Sequence, residues 1–132
     1  SQNTLWWEVA FPLLYLPSFC SFRMTDIWRS FIAQRICWEN GWNVCFFSPT
    51  VYQDRNEHNL MKDFEDEIQG YLHNEEVCKA LSKLELKSGT ENIGSNLFAC
   101  YETFIGAGLI EEAELGLLGN WIEDIKKLGI EC

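Results

Sequence analysis

The chain has 132 residues, 47% of them hydrophobic and 14% aromatic, which is ample material for one domain with a real core and rules out a disordered tail. Ten Lys and Arg against twenty Asp and Glu leave a formal charge of −10, which argues against a general nucleic-acid surface, since that needs a clustered positive field. The few arginines are therefore read one by one.

The opening stretch, SQNTLWWEVAFPLLYLP, has no initiator Met, and Glu8 and two prolines interrupt its apolar run. It is too short and broken for a membrane span and lacks the basic flank of a signal peptide. The expectation is a chain that begins inside a larger protein. Residues 9–16 (VAFPLLYL) form a continuous apolar run ending at Pro17, the pattern of a strand buried on both faces. Thr25 then caps a helix that Asn40 and Gly41 end, with Ile27, Trp28, Phe31, Ile32 and Ile36 at helical spacing. Residues 42–47 (WNVCFF) read as a second strand, stopped by Ser48 and Pro49.

Strand, helix, strand predicts a parallel βαβ core and an α/β fold. Ligands then gather at the carboxyl ends of the strands, beside the 17–25 loop and the polar run 51–59. Beyond residue 60 the chain turns helical. Helices are expected over 60–68, over 74–84 with Asn74 as cap, over 95–105 with Leu97, Phe98, Tyr101 and Phe104 inward, and through Leu115, Leu118, Trp121, Ile122 and Ile125 to Gly129. Residues 86–95 read as a flexible connector. The organisation expected is 1–59 as part of an α/β domain and 60–132 as its helical extension.

The six cysteines show no C-x-x-C and no repeated spacing, which argues against a zinc ribbon. Cys37, Cys45 and Cys100 lie in apolar segments and read as buried free thiols, although the even count also suits disulfides.

Asp26 is the first candidate for chemistry. An acid at a helix start satisfies free N–H groups and the helix dipole without any catalysis, and that is the commoner use. Arg23 and Arg29 flank it; paired guanidiniums at a helix N-terminus would hold a phosphate, or one of them would simply pair with Asp26. Trp28 packs inward by default, or stacks on a sugar ring from a cleft. Gln34 and Arg35 read as surface or as polar contacts to a neighbouring segment.

Asp54, Arg55, Glu57 and His58 sit on the presumed active rim, where Arg55 would meet a diphosphate and a carboxylate with a histidine would bind a cation; a solvated loop explains the same residues. In DFEDE, Asp63 and Glu67 share a helix face while Glu65 and Asp66 point away, so the acids do not converge on a metal. His73 reads as exposed and inert. G-x-S-x-G, P-loop and G-x-G-x-x-G patterns are absent, which sets aside serine hydrolases, NTPases and nicotinamide enzymes.

The run from LLYLPSFCSFRMTDIWRSFIAQRICWENGWNVCFFSPTV through YQDRNEHNLMKDFEDE resembles the family that includes the plant STELLO proteins, and GLIEEAELGLLGNWIEDI resembles the end of its animal members. More distantly, D-I-W-R resembles the D-x-W segment of the reversibly glycosylated polypeptides, the UDP-arabinopyranose mutases. The resemblance implies a Golgi-anchored type II membrane protein with a luminal, nucleotide-sugar glycosyltransferase-like domain of the GT-A kind. Its partners would be a nucleotide-sugar donor, a glycan or other acceptor and other Golgi proteins, with the membrane met only through a missing N-terminal anchor.

By that resemblance Asp26 orients or deprotonates the acceptor hydroxyl, with Arg23, Trp28, Arg29, Asp54 and Arg55 on the substrate. A divalent cation such as Mn would take its D-x-D ligands upstream, so this chain supplies no metal site and is expected to be inactive alone. The alternative is a scaffold that kept the fold, lost the chemistry and assists assembly of other Golgi enzymes.

Overall fold

The computed structural model describes residues 3–54, 57 and 59–132. Four α-helices carry it: α1 (Thr25–Glu39), α2 (Leu60–Ser82), α3 (Ile93–Gly106) and α4 (Glu114–Lys127), with short 3-10 helices at Glu8–Leu14, Phe22–Met24 and Thr90–Asn92. Helix α3 sits centrally, packing on α1, α2, α4 and the 3-10 helix Glu8–Leu14. One core results, to which Leu13, Trp28, Ile32, Ile36, Val77, Leu97, Tyr101, Phe104 and Leu118 contribute buried side chains.

The expected α/β fold is not formed. Among the described residues there is no strand, hence no parallel βαβ core and no GT-A-like sheet. Residues 9–16 become mostly a 3-10 helix because of Pro12, which has no N–H for a ladder and whose fixed φ suits a helical turn. The three-residue repeat then turns Ala10 and Leu13 inward. Residues 42–47 take no regular secondary structure and pair with no strand among the described residues, and Phe46 and Phe47 are each 87% exposed. An apolar run specifies burial in a sheet only where neighbouring strands exist to accept its N–H and C=O groups.

The helix boundaries have local causes. Gly41, Gly108 and Gly129 each take positive φ just past a helix end. There the N–H groups of Trp42, Leu109 and Ile130 reach back to the carbonyls of Cys37, Phe104 and Ile125, the closing pattern that glycine permits without a Cβ clash. Helix α2 ends without a glycine. Arg35 from α1 serves instead, its Nε and Nη2 donating to the carbonyls of Leu81 and Leu84 at 3.1 and 2.9 Å while Nη1 pairs with Glu39.

The two helices expected over 60–68 and 74–84 are one helix of 23 residues, opened by Asn59, whose Oδ1 accepts from the N–H of Lys62 at 3.2 Å. Gly70 does not break it: an added Cβ there would come 2.5 Å from Met24 Cε, so the glycine lets α2 approach the segment before α1. Asn74 is no cap; its Oδ1 accepts from Trp28 Nε1 at 3.0 Å. Residues 86–95 are held in place, with Asn96 bonded to both backbone groups of Lys87 and Asn40 Oδ1 accepting from the N–H of Gly89.

The N-terminal segment is fastened to α4 by Glu114, which is fully buried. Its Oε2 accepts from the backbone N–H groups of Ser18 and Phe19 at 2.9 and 2.7 Å, and its Oε1 accepts from the Tyr15 hydroxyl. Trp121 Nε1 donates to the Pro12 carbonyl at 2.9 Å, and the N–H of Glu111 to that of Phe19 at 3.3 Å.

Glu114→Ala should therefore lower the unfolding free energy by about 3 to 5 kcal/mol, because it strands two half-buried N–H groups and a buried phenol, and Tyr15→Phe by about 1 to 3. Urea unfolding followed by tryptophan fluorescence measures both, and a loss below ~1 kcal/mol for Glu114→Ala would refute the role given to this carboxylate. In limited digestion with chymotrypsin, first cuts are expected after Phe47 or Tyr52, ahead of any site in α3.

Candidate functional site

With no strand ends to gather around, the candidate residues take their positions from α1 and the turn before it. Met24 occupies the cap position of α1 and no side chain caps it; the Thr25 hydroxyl donates to the Phe22 carbonyl at 3.0 Å, so the 3-10 turn Phe22–Met24 runs directly into the helix. Asp26 sits in the first turn, exposed, and its carboxylate makes no hydrogen bond or ion pair among the described residues. The peptide carbonyl of Asp26 accepts from Ser30 Oγ at 2.6 Å.

Neither flanking arginine pairs with Asp26. Arg23 reaches across to α2, where Nη2 meets Glu67 at 2.9 Å and Asp63 at 3.3 Å and Nε donates to Glu67 at 3.1 Å. Asp63 and Glu67 do share a face, one helical turn apart, and their common target is this guanidinium. Arg29 lies over the Trp6 ring at 5.3 Å from its centroid, a cation–π arrangement, and its Nε is buried without a hydrogen-bond partner.

Trp28 is 1% exposed, its ring 5.5 Å from that of Phe104 and its Nε1 bonded to Asn74, so in this structure it offers no free face. It stands two residues from Asp26, which is nearly the opposite side of a helix. Asp54 is exposed in the irregular segment after α1, while Arg55 and His58 lie outside the described residues.

The structure thus brings together Arg23 with Asp63 and Glu67, and Trp28 with Asn74, but does not join Asp26 to Arg23, Trp28 or Arg29 through any bond. Two surface depressions are present, the second beside these pairs. One of about 380 Å³ is lined by Glu8, Val9, Thr90, Gly129, Ile130 and Glu131, and one of about 140 Å³ by Met24, Ile27, Glu67, Gly70, Tyr71 and Asn74. No three His, Cys, Asp or Glu side chains among the described residues could hold a metal ion. No described helix is long and apolar enough to cross a membrane.

The residue that sequence reasoning passed over is Glu114. A signal was available: positions 114, 118, 122 and 125 recur at helical spacing, which puts this acid on the inward stripe of α4 with Leu118, Ile122 and Ile125. Its charge also acts on neighbours. Burial, and then the Glu114 carboxylate, raise the Cys20 thiol to about 11, and burial raises Cys100 to about 12. Tyr15 and Tyr101 are pushed upward as well, chiefly by burial.

All six cysteines are free; Cys37 and Cys100 are buried as expected, but Cys45 is exposed on the irregular segment after α1. These raised values carry a sign. The folded protein keeps Cys20 and Cys100 protonated where the unfolded chain ionises its thiols, near 9, so their contribution is complete below that pH and is lost as pH climbs through the folded values of about 11 and 12. Urea midpoints should hold steady up to roughly pH 8 and fall above it, and Cys20→Ser should flatten part of that fall.

A family model described as STELLO glycosyltransferases matches residues 23–132, which takes in Arg23, Asp26, Trp28 and Arg29 as well as all four helices. The chain is similar to a curated protein of Arabidopsis thaliana named "Probable glycosyltransferase STELLO2", 27% identical over 132 residues, covering 99% of this chain and 17% of that protein. No solved structure matches. The match across most of its length makes this chain a member of the STELLO glycosyltransferase family.

Proposed function

We propose that this chain is a C-terminal portion of a Golgi-lumenal, nucleotide-sugar-dependent glycosyltransferase, in which Asp26 orients or deprotonates the acceptor hydroxyl. Family membership supports the glycosyltransferase character, and one observation supports the residue: of Arg23, Asp26, Trp28 and Arg29, Asp26 is the one whose side chain is exposed and makes no bond among the described residues. A general base requires a carboxylate that substrate can reach, and Asp26 stands exposed in the first turn of α1. Arg23, Trp28 and Arg29 would act as positioning residues, fixing α1 against α2, α3 and Trp6. Asp54 stays open to substrate.

The described residues do not fit a divalent-cation site, so a cation of the donor chemistry would take its ligands from other parts of the polypeptide. Donor sugar and nucleotide would be held there as well, and the membrane anchor and Golgi protein partners belong to the same whole-protein proposal.

A second reading has its own support. Arg23, Trp28 and Arg29 are committed to intramolecular contacts, which suits a non-catalytic member that assists assembly or trafficking of other Golgi enzymes. The two separate in a longer polypeptide carrying this chain, assayed by release of UDP from UDP-sugars with and without glycan acceptors. Asp26→Asn should lower turnover by about a hundredfold or more while donor KM and the thermal midpoint stay unchanged, since the amide keeps the shape and loses the proton acceptor. Unchanged turnover would remove Asp26 from the chemistry. A well-folded wild type that turns over no UDP-sugar would favour the scaffold.

A further inference from the structure

Helix α2 has two apolar faces, and only one is used. Gly70, Val77 and Leu81 turn inward to the core, while Leu60, Met61, Phe64, Tyr71 and Leu72 are exposed on another side. With the half-buried Ile68, the positions 61, 64, 68 and 71 follow the three-and-four spacing of a helix-packing seam, and Leu60 and Leu72 widen its ends. Phe64 and Tyr71 already touch, with ring centroids 5.8 Å apart, so the seam is one continuous surface running about 18 Å along the helix. Beside it opens the depression of about 140 Å³ lined by Met24, Ile27, Glu67, Gly70, Tyr71 and Asn74.

The charges bordering the seam identify what fits. Glu65 and Glu76 line one edge, on a chain of net charge −10, while Glu67 on the other is already paired with Arg23. A second copy is disfavoured: an antiparallel pair centred on the seam would set Glu65 of one helix beside Glu65 of the other, and like charges so placed repel. An anionic membrane is disfavoured for the same reason, because helices that lie on such surfaces flank their apolar face with Lys and Arg.

We infer that the outer face of α2 is a docking surface for a basic amphipathic helix of a partner protein, its aliphatic side chains in the Met61, Phe64, Ile68 and Tyr71 seam and its Lys or Arg against Glu65 and Glu76. One aliphatic side chain of that helix enters the depression beside Gly70, where a desolvated anchor counts most.

The probe is a fluorescein-labelled amphipathic peptide of about five turns, with leucines at the seam spacing and lysines beside them, compared with a scramble of the same composition. By fluorescence anisotropy the ordered peptide should bind at least about tenfold more tightly than the scramble. Phe64→Ser with Leu72→Ser should lose about tenfold or more, and Glu65→Lys with Glu76→Lys should weaken binding and its salt dependence together. All four side chains are exposed, so circular dichroism of each variant should match the parent. Equal affinity for the scramble, or binding unaffected by the serine pair, would overturn the inference. So would sedimentation showing a homodimer that the serine pair dissolves, since the seam would then belong to a second copy.

Discussion

The structure depends on the buried carboxylate of Glu114. An acid at the first position of an inward-facing helix stripe would be severely destabilising if left alone, since an ion without partners loses several kcal/mol on leaving water. Here it has three donors, the N–H groups of Ser18 and Phe19 and the Tyr15 hydroxyl, and they belong to the segment that must be brought back from the other end of the chain. The carboxylate therefore does more than tolerate burial. It specifies which irregular residues close over α3 and α4, which apolar contacts such as Tyr15 on Tyr101, 5.4 Å between centroids, do not specify alone.

That closure in turn positions α1. The segment from Tyr15 to Cys20 leads into the turn at Phe22, and Ser21 Oγ donates to the Asp66 carbonyl on α2 at 2.6 Å. From there Arg23, Trp28 and Arg35 each bridge to α2, by ion pair, indole hydrogen bond and carbonyl capping. The α1–α2 interface is thus held by directional polar bonds around a narrow apolar contact. This explains why α2 buries so little of its own apolar surface: Val77 and Leu81 serve the core, Gly70 allows close approach, and the remaining large side chains face out.

Asp26 gains its interest from the same arrangement. The charged and aromatic residues around it in sequence have tertiary tasks, and the acid has none within the described structure. A group that the fold does not use, inside a segment that matches a glycosyltransferase family, is a reasonable place to look for chemistry. The family resemblance was legible from the run F-R-x-T-D-I-W-R onward, because it rests on residue identity. The surroundings of Asp26 were not, because flanking arginines in a sequence do not reveal which acid they meet.

Local rules sufficed for the helices that end in glycine. Asn40 with Gly41 and the stop at Gly129 follow from positive-φ closure, and the inward stripes of α1, α3 and α4 follow from spacing, since both are properties of one segment. Everything that needed a second segment was decided by tertiary structure. Whether residues 9–16 and 42–47 become strands depends on neighbours able to accept their backbone, and without them Pro12 bends the first into a 3-10 helix while the second stays unpaired. Residues 69–73 looked like a gap between two helices and Asn74 like a cap, yet α2 runs through both: Gly70 leaves room for Met24 and Trp28 takes the amide. Spacing determined which sides of the helices are apolar; only the fold decided which polar groups meet, because a hydrogen bond between residues 15 and 114 is written in neither neighbourhood alone.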